Sequence, residues 1–237
     1  IFSHGFLMDL TMFDQQVAAL KDDFRCVAWD ERGFGETPVE EPFSYWDSAN
    51  DAVALLDHLG IERAVFVGMS QGGFLSLRAA LAHPDRVAGV VLIDSEAGAF
   101  TDEQVEGYSA MFGQWQIAQP LGELGHTVAG MIIGDSKLNS EWIAKWEARD
   151  RSTLRQPAET LLFRDDITDR MGEVNCPVLI IHGEEDQAIP IEAAEALSHL
   201  VPDCRGVVRV PGAAHAPNMT HPEIVNEALE GFLRLVM

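Results

Sequence analysis

Short apolar runs rich in β-branched residues alternate along the chain with longer segments whose apolar residues recur at helical spacing. The short runs have the length of buried strands, and the segments between them are long enough for helices. Regular alternation of this kind is typical of βαβ units, so it predicts an α/β fold with a mostly parallel sheet and helices on both faces. The predicted strands are Ile1–Ser3, Arg25–Trp29, Ala64–Gly68, Gly89–Ile93, Val178–Ile181 and Gly206–Val210.

The intervening segments give four helices with clear limits. In Tyr45–Leu59, residues Ala49, Val53 and Leu56 are spaced for one buried face, and Gly60 follows as a helix stop. The other three predicted helices are Gln71–Ala82, Ile191–Leu200 and Pro222–Val236.

The alternation stops between Ser95 and Asn175, where helical periodicity continues without a convincing strand. This pattern predicts an inserted helical cap, residues 95–175, on an α/β core formed by residues 1–94 and 176–237. We expect most of the large apolar residues of the cap to pack on one another and a few to line a pocket against the core. They are Met111, Phe112, Trp115, Met131, Ile132, Ile133, Trp142, Trp146 and Phe163.

Composition and charge narrow the classes of partner. The chain has 237 residues, of which 47% are hydrophobic, as expected of one globular domain with an insertion. Its formal net charge of −22 repels phosphate backbones and anionic lipid, so neither nucleic acid nor a membrane surface is an expected partner. No apolar run reaches the length of a membrane span.

The cysteines and the first residues bear on location. Cys26, Cys176 and Cys204 lie far apart without metal-ligand spacing, so we expect no disulfide framework and no zinc site, and a reducing, cytoplasmic compartment. Ile1 opens the chain inside an apparent buried strand without an initiator Met. We therefore expect the natural N-terminus, with any signal peptide, to precede it.

The strongest chemical signal is the segment GMSQGG, which places Ser70 between a predicted strand and a predicted helix. A nucleophile on such a tight turn needs neighbours without Cβ, and Gly68, Gly72 and Gly73 supply them. The helix N-terminus beside Ser70 also favours developing negative charge. The segment predicts a serine nucleophile.

A serine hydroxyl needs a base, and a histidine oriented by a carboxylate is the usual one. Among eight histidines, His215 lies in a loop after the last predicted strand, at the sheet edge that Ser70 also reaches. His4 and His182 precede glycines at strand ends, where an imidazole more often fixes a turn. His215 is therefore the predicted base.

Two carboxylates compete for the third role. Asp186 follows the strand Val178–Ile181, and Asp94 ends the strand before the predicted cap. Catalytic groups gather at the carboxyl ends of strands in open α/β sheets, so position alone permits either.

Acyl transfer also needs donors where the oxyanion forms. The backbone N–H of Gln71 is one candidate, and that of Phe6, after Ser3-His4-Gly5, is the second. Gly5 permits the close approach.

Taken together, these motifs resemble the α/β-hydrolase-fold serine hydrolases. The resemblance implies Ser70 as nucleophile, Asp186 as acid and His215 as base, with Phe6 and Gln71 as the oxyanion hole. It leaves Asp94 as an alternative acid, requires no metal or organic cofactor, and implies that the family's first strands precede Ile1. The matching stretches, in the family's order, are SHGF, DERGFGET, GMSQGG, HGEEDQAIP and GAAHAPNMTHPE.

Single positions narrow the subfamily. Ser70 argues against haloalkane dehalogenases and epoxide hydrolases, which carry Asp there, and Ala216 replaces the Trp that commonly follows the catalytic histidine in carbon–carbon bond hydrolases. Thr220 stands where the family often has Glu. The stretch GAAHAPNM is similar to the ending of enol-lactonases, and cofactor-free haloperoxidases with perhydrolase activity share the serine and oxyanion motifs.

The sequence thus predicts a carboxylic-ester hydrolase that acts on a small-molecule ester or lactone through an acyl-enzyme. A lactonase or a perhydrolase of the same fold is the alternative enzyme. A small-molecule receptor that retains a slow triad is the alternative from another class.

Overall fold

A computed structural model describes all residues, 1–237, and contains a single six-stranded sheet. The strands are β1 (Phe2–Ser3), β2 (Ala28–Trp29), β3 (Ala64–Met69), β4 (Val87–Ile93), β5 (Val178–Gly183) and β6 (Cys204–Val210). They lie in the order β2-β1-β3-β4-β5-β6, and every neighbouring pair runs parallel. The predicted parallel α/β sheet is confirmed.

Ten α-helices connect or flank these strands. They are α1 (Asp14–Leu20), α2 (Tyr45–His58), α3 (Gln71–Ala82), α4 (Asp102–Ile117), α5 (Gly122–Ile132), α6 (Ser136–Ala148), α7 (Arg155–Leu162), α8 (Ile191–Leu200), α9 (Pro217–Thr220) and α10 (Pro222–Val236). None combines the length and apolar character that crossing a membrane would require.

Helices cover both faces of the sheet. Gly89 of β4 faces Phe232 of α10, whereas Leu92 of the same strand contacts the position of Gly73 in α3. Side chains alternate between the faces of a strand, so residues 89 and 92 point in opposite directions. The central strands β3, β4 and β5 are therefore buried between two helical layers, which matches their nearly continuous apolar sequences.

Local sequence sets most of the helix ends. Ser44 caps α2 through a reciprocal pair of hydrogen bonds with Asp47, and the helix ends at His58, one residue before the predicted end. The bounds of α3, α8 and α10 are those predicted.

All six predicted strands differ from the observed ones at one end, by one to three residues, and pairing explains the difference in the two edge strands. The run Arg25–Trp29 forms only a two-residue strand, because its neighbour β1 offers only Phe2 and Ser3 as pairing partners. Conversely, β6 begins at Cys204 rather than Gly206, since Cys204 pairs with Val178 at the start of β5.

The segment between β4 and β5, residues 95–175, contains α4 to α7 and no strand, as expected. Within it α4 packs on α7 and α5 packs on α6. Most of its large apolar residues are buried, including Trp115, Trp142 and Trp146. Phe163 is an exception: it follows the last residue of α7, and 71% of it is exposed.

Candidate active site

Ser70 occupies the sharp turn that joins β3 to α3. Its backbone has φ +50° and ψ −115°, a conformation that is strained for a residue with a side chain. A Cβ on Gly68 would collide with the backbone of Gly72, and a Cβ on Gly72 would collide with the Ser3 carbonyl. The turn can therefore close against the helix and β1 only because both positions are glycine.

Hydrogen bonds to the adjoining strand hold this turn in place. The Ser70 N–H donates to the Ile93 carbonyl at the end of β4 (2.9 Å), and the Ser95 hydroxyl donates to the Ser70 carbonyl (2.8 Å). The Gly73 N–H also donates to the Ser70 carbonyl (2.8 Å). The strained conformation is thus fixed by groups on two elements.

His215 and Asp186 form a buried hydrogen-bonded pair. Asp186 lies after β5 and His215 after β6, the neighbouring strand, and 2.7 Å separates His215 Nδ1 from Asp186 Oδ2. A carboxylate can only accept, so the proton lies on Nδ1 and the other ring nitrogen, Nε2, is left unprotonated in the neutral ring. Sequence reasoning placed both residues at this edge of the sheet.

Other donors stabilise the charge of Asp186. Its Oδ1 accepts the N–H groups of Ala188 (2.8 Å) and Ile189 (3.1 Å). Burial raises the pKa of Asp186, but the charge of His215 and these hydrogen bonds outweigh burial, so the pKa lies below its ordinary value. Asp186 is therefore ionised at neutral pH.

Ser70 and His215 line one cavity, of about 60 Å³, between the core and residues 95–175. Of its 16 lining residues 14 are hydrophobic, and none is Lys, Arg, Asp or Glu. The lining comprises Phe6, Leu7, Met69, Ser70, Phe74, Phe100, Tyr108, Met111, Phe112, Val128, Met131, Ile132, Leu161, Ala188, Ile189 and His215. The expectation that a few apolar residues of the insertion line a pocket is met by Met111, Phe112, Met131 and Ile132.

A buried cation stands behind the cavity wall. The Arg164 guanidinium lies over the rings of Phe100 (3.9 Å) and Phe74 (4.4 Å), both of which line the cavity. Its charge is already paired with Glu96, at 2.6 Å. The aromatic rings and this ion pair separate the cation from the cavity interior.

The two expected oxyanion donors lie beside Ser70. Gln71 is the first residue of α3, so no carbonyl within the helix can accept its N–H. The Phe6 N–H has no acceptor within the protein, and Phe6 lines the cavity. The following residue, Leu7, has φ +66°, and its carbonyl accepts the indole N–H of Trp146 (2.7 Å).

A buried polar network supports these donors, and sequence reasoning missed most of it. The Tyr45 hydroxyl donates to Gln71 Oε1 (3.2 Å), next to the buried carboxyl of Glu31. His4 joins the loop after β1 to the loop after β2. Its Nδ1 bonds the Gly5 carbonyl (2.8 Å), and its Nε2 accepts the Glu31 N–H (3.0 Å). His4 thus fixes a turn, as its position before a glycine suggested.

Burial sets the charge of this network. Burial holds the pKa of Glu31 well above its ordinary value, although the neighbouring amide of Gln71 opposes the shift. Burial also lowers the pKa of His4. His4 is therefore neutral around neutral pH, and the Glu31 carboxyl keeps its proton to a higher pH than an exposed glutamate does.

Asp94, the alternative acid, lies at the end of β4 without a hydrogen bond to His215. Its Oδ1 accepts the Gly183 N–H (2.9 Å). Burial, and then the charge of Asp186, raise the pKa of Asp94 well above its ordinary value. The hydrogen bond to His215 is made by Asp186.

His182 lies between the two carboxyl groups. Its Nε2 donates to the Ile189 carbonyl (2.9 Å) and lies 3.7 Å from Asp94 Oδ1 and 3.5 Å from Asp186 Oδ2. The ligand atoms of Asp94, His182 and Asp186 lie within 4.8 Å of one another, the spacing of a possible metal site. However, Asp186 and His182 Nε2 are already engaged in hydrogen bonds within the protein.

Known proteins share this sequence and fold. The family model of the α/β hydrolase fold matches residues 1–222. A 3-oxoadipate enol-lactonase of Acinetobacter baylyi is 27% identical, covering 99% of this chain and 88% of the relative. A bifunctional esterase/perhydrolase of Acinetobacter calcoaceticus is 28% identical over 98% of this chain and 90% of its own.

Among solved structures, a thermophilic esterase from Thermogutta terrifontis superposes with a TM-score of 0.90 at 28% identity. The match covers 99% of this chain and 89% of the esterase. Together with the parallel sheet and the serine at the turn after β3, these matches show that the chain belongs to the α/β-hydrolase fold family and is a hydrolase.

Proposed function

We propose that this hydrolase cleaves carboxylic esters through an acyl-enzyme formed on Ser70. The observation that carries the proposal is the joint placement of Ser70 and His215 on one cavity, with Asp186 bonded behind His215 at 2.7 Å. A serine at the head of a helix, beside a histidine whose tautomer a carboxylate fixes, suits nucleophilic attack on a carbonyl.

The reaction follows from these positions. His215 Nε2 takes the hydroxyl proton as Ser70 Oγ bonds to the ester carbonyl carbon, and Asp186 stabilises the imidazolium that results. The N–H groups of Phe6 and Gln71 donate to the oxyanion. When the tetrahedral intermediate collapses, the alcohol leaves with the proton from His215, and water then cleaves the acyl-enzyme by the same route.

We further propose that residues 95–175 act as a cap on a core of residues 1–94 and 176–237. The cavity supports this division, because α4, α5 and α7 supply part of its wall while the β3–α3 turn supplies Ser70. Such an arrangement assigns substrate selection to the cap and chemistry to the core.

The three free cysteines fit a reducing, cytoplasmic setting.

The cavity favours neutral acyl groups. Of its 16 lining residues 14 are hydrophobic, so an apolar acyl chain can be buried there without desolvating a charge. Its apolar lining offers no cation to a substrate carboxylate. The enol-lactonase relative acts on a lactone of 3-oxoadipate, an anion, and this cavity is less suited to such a substrate.

The test uses turnover and covalent labelling together. We expect multiple turnovers of p-nitrophenyl acetate or butyrate by the wild type, and covalent labelling by a fluorophosphonate. Ser70→Ala should abolish the labelling and lower kcat by as much as about a millionfold. Ser76→Ala is the matched control, because Ser76 is a buried serine of the same helix whose hydroxyl donates to the Gly72 carbonyl. Labelling that persists in Ser70→Ala would overturn the nucleophile, and a single turnover would favour a receptor.

A further inference from the structure

Two carboxyl groups meet in the interior behind His215. Asp94 follows β4 and Asp186 follows β5, and both side chains have 0% exposure. A ligand oxygen of one lies within 4.8 Å of a ligand oxygen of the other. Two like charges this close and this buried strongly oppose joint ionisation, so one of the two carboxyls holds a proton.

Hydrogen-bond donors identify which carboxyl carries the charge. Asp186 accepts three bonds, from the N–H groups of Ala188 and Ile189 and from His215 Nδ1. Asp94 accepts one, at Oδ1 from Gly183, while its buried Oδ2 has no donor. Donors favour the ionised form, so the negative charge belongs on Asp186 and the proton on Asp94 Oδ2.

We propose that Asp94 is a positioning residue: it stays a neutral carboxylic acid and its Oδ2–H donates a hydrogen bond to the Asp186 carboxylate. This role rests on the proposed function, in which Asp186 orients His215. The bond gives the unpartnered Oδ2 of Asp94 its partner, and it gives Asp186 a fourth donor from a separate strand.

No lysine or arginine contacts Asp94 to draw the proton from it. The titratable groups that face it are Asp186, His182 and His215. Burial lowers the pKa of His182, so this imidazole is neutral, and its Nε2–H is directed to the Ile189 carbonyl. Burial and the charge of Asp186 both raise the pKa of Asp94, in agreement with the count of donors.

The backbone of Asp94 makes the test specific. Asp94 has φ +45°, a left-handed conformation that Asp and Asn tolerate better than most residues. Asp94→Asn therefore keeps the backbone, the shape and an N–H donor toward Asp186, and it can never ionise. Asp94→Ala removes the donor.

The direct test is carboxyl ¹³C NMR of the full chain labelled at aspartate, titrated across neutral pH. We expect one aspartate signal at the position of an un-ionised acid at pH 7, lost in Asp94→Asn. It should persist in Asp9→Asn, the matched control, because Asp9 is buried but paired with Arg149 and Lys145. Assignment of the un-ionised signal to Asp186, or its absence, would overturn the proposal.

Kinetics then test the positioning role. Asp94→Asn should keep kcat within about threefold, whereas Asp94→Ala should lower kcat by about tenfold with little change in KM, as expected for loss of one hydrogen bond to a charge. A loss in Asp94→Asn as large as that in Asp186→Asn would make Asp94 the acid and refute a neutral donor. Unaltered kcat in Asp94→Ala would refute positioning. Neither result depends on the nucleophile, because labelling of Ser70→Ala tests that separately.

Discussion

At the scale of single residues, the Asp186–His215 bond gives the largest expected effect outside the nucleophile. Asp186→Asn replaces a charged acceptor by an amide, which no longer stabilises the imidazolium and favours the wrong ring tautomer. We expect kcat to fall by roughly three to four powers of ten. Steady-state kinetics on p-nitrophenyl butyrate, with circular dichroism to verify folding, would measure it. A loss below about tenfold would remove Asp186 from the proposed triad.

A second prediction at this scale concerns Glu31 and pH. Burial raises the pKa of Glu31 above its ordinary value of 4.5, so the folded protein holds this proton more tightly than the unfolded chain. The wild type therefore loses stability as pH rises from 4.5 through the folded-state pKa, and Glu31→Gln does not. The free energy of unfolding of the variant should gain on the wild type by about 1.4 kcal/mol per pH unit in that window.

Urea unfolding at several pH values measures this difference. Glu62→Gln is the control, because Glu62 is exposed and its substitution should leave the pH dependence of stability unchanged. The free energies of unfolding of wild type and Glu31→Gln are compared at each pH. If their difference stays constant with pH, Glu31 is ionised in the folded protein.

The residues that sequence could locate are those in short motifs at strand ends. Ser70, His215, Asp186, Phe6 and Gln71 were found this way, while their roles stay predictions. The fold places Ser70, Phe6 and His215 on one cavity and bonds Asp186 to His215. The bond from Tyr45 to Gln71 joins separate helices, and its residues are 26 apart in sequence. No local pattern marks such a contact, since only the packing of α2 against α3 creates it.

At the scale of elements, long or fully buried helices and strands were the ones that the sequence pattern predicted best. The helices α8 and α10 had clear patterns and have the predicted bounds, and the buried strand β4 ends where predicted but begins two residues earlier. Helices α1 and α9 have 7 and 4 residues, too short to show a helical period. The insertion was predicted to be helical, but its helix limits and its attachment to the core depend on tertiary contacts.

One such attachment joins α6 to the loop that contains Phe6, the proposed oxyanion donor. The Trp146 indole donates to the carbonyl of Leu7, the strained residue after Phe6, and Arg149 pairs with Asp9 at 2.6 Å. The insertion therefore holds the loop that presents the Phe6 N–H. We expect Trp146→Phe, which removes this donor but keeps an aromatic ring, to lower kcat by about tenfold and to change KM little.

Trp142→Phe is the matched control for this prediction. Trp142 is a buried tryptophan of the same helix, packed 6.4 Å from Trp146, and its indole N–H does not bond the loop. Its substitution should leave kcat within about twofold, because no hydrogen bond to the loop is lost. An equal fall in kcat in both variants would show that helix packing, rather than the bond to Leu7, determines the position of the loop that contains Phe6.

At the scale of the whole molecule, the charge and the cavity act in the same direction. The formal net charge of −22 repels anions at a distance, and the cavity offers no Lys or Arg once an anion arrives. The buried cation behind the cavity wall, Arg164, is paired with Glu96 and covered by aromatic rings. An anionic substrate therefore meets repulsion at encounter and desolvation without compensation at the site.

This reasoning predicts a preference that a matched pair of esters can measure. Methyl butyrate and monomethyl succinate carry the same ester and similar acyl lengths, but the succinate ends in a carboxylate. We expect kcat/KM for the butyrate to exceed that for the succinate by more than about tenfold, the equivalent of about 1.4 kcal/mol. Added NaCl should narrow the ratio by screening the encounter, but it should not abolish the preference, because desolvation in the apolar cavity is insensitive to salt. Faster turnover of the succinate would instead indicate a dicarboxylate substrate and favour the lactonase alternative.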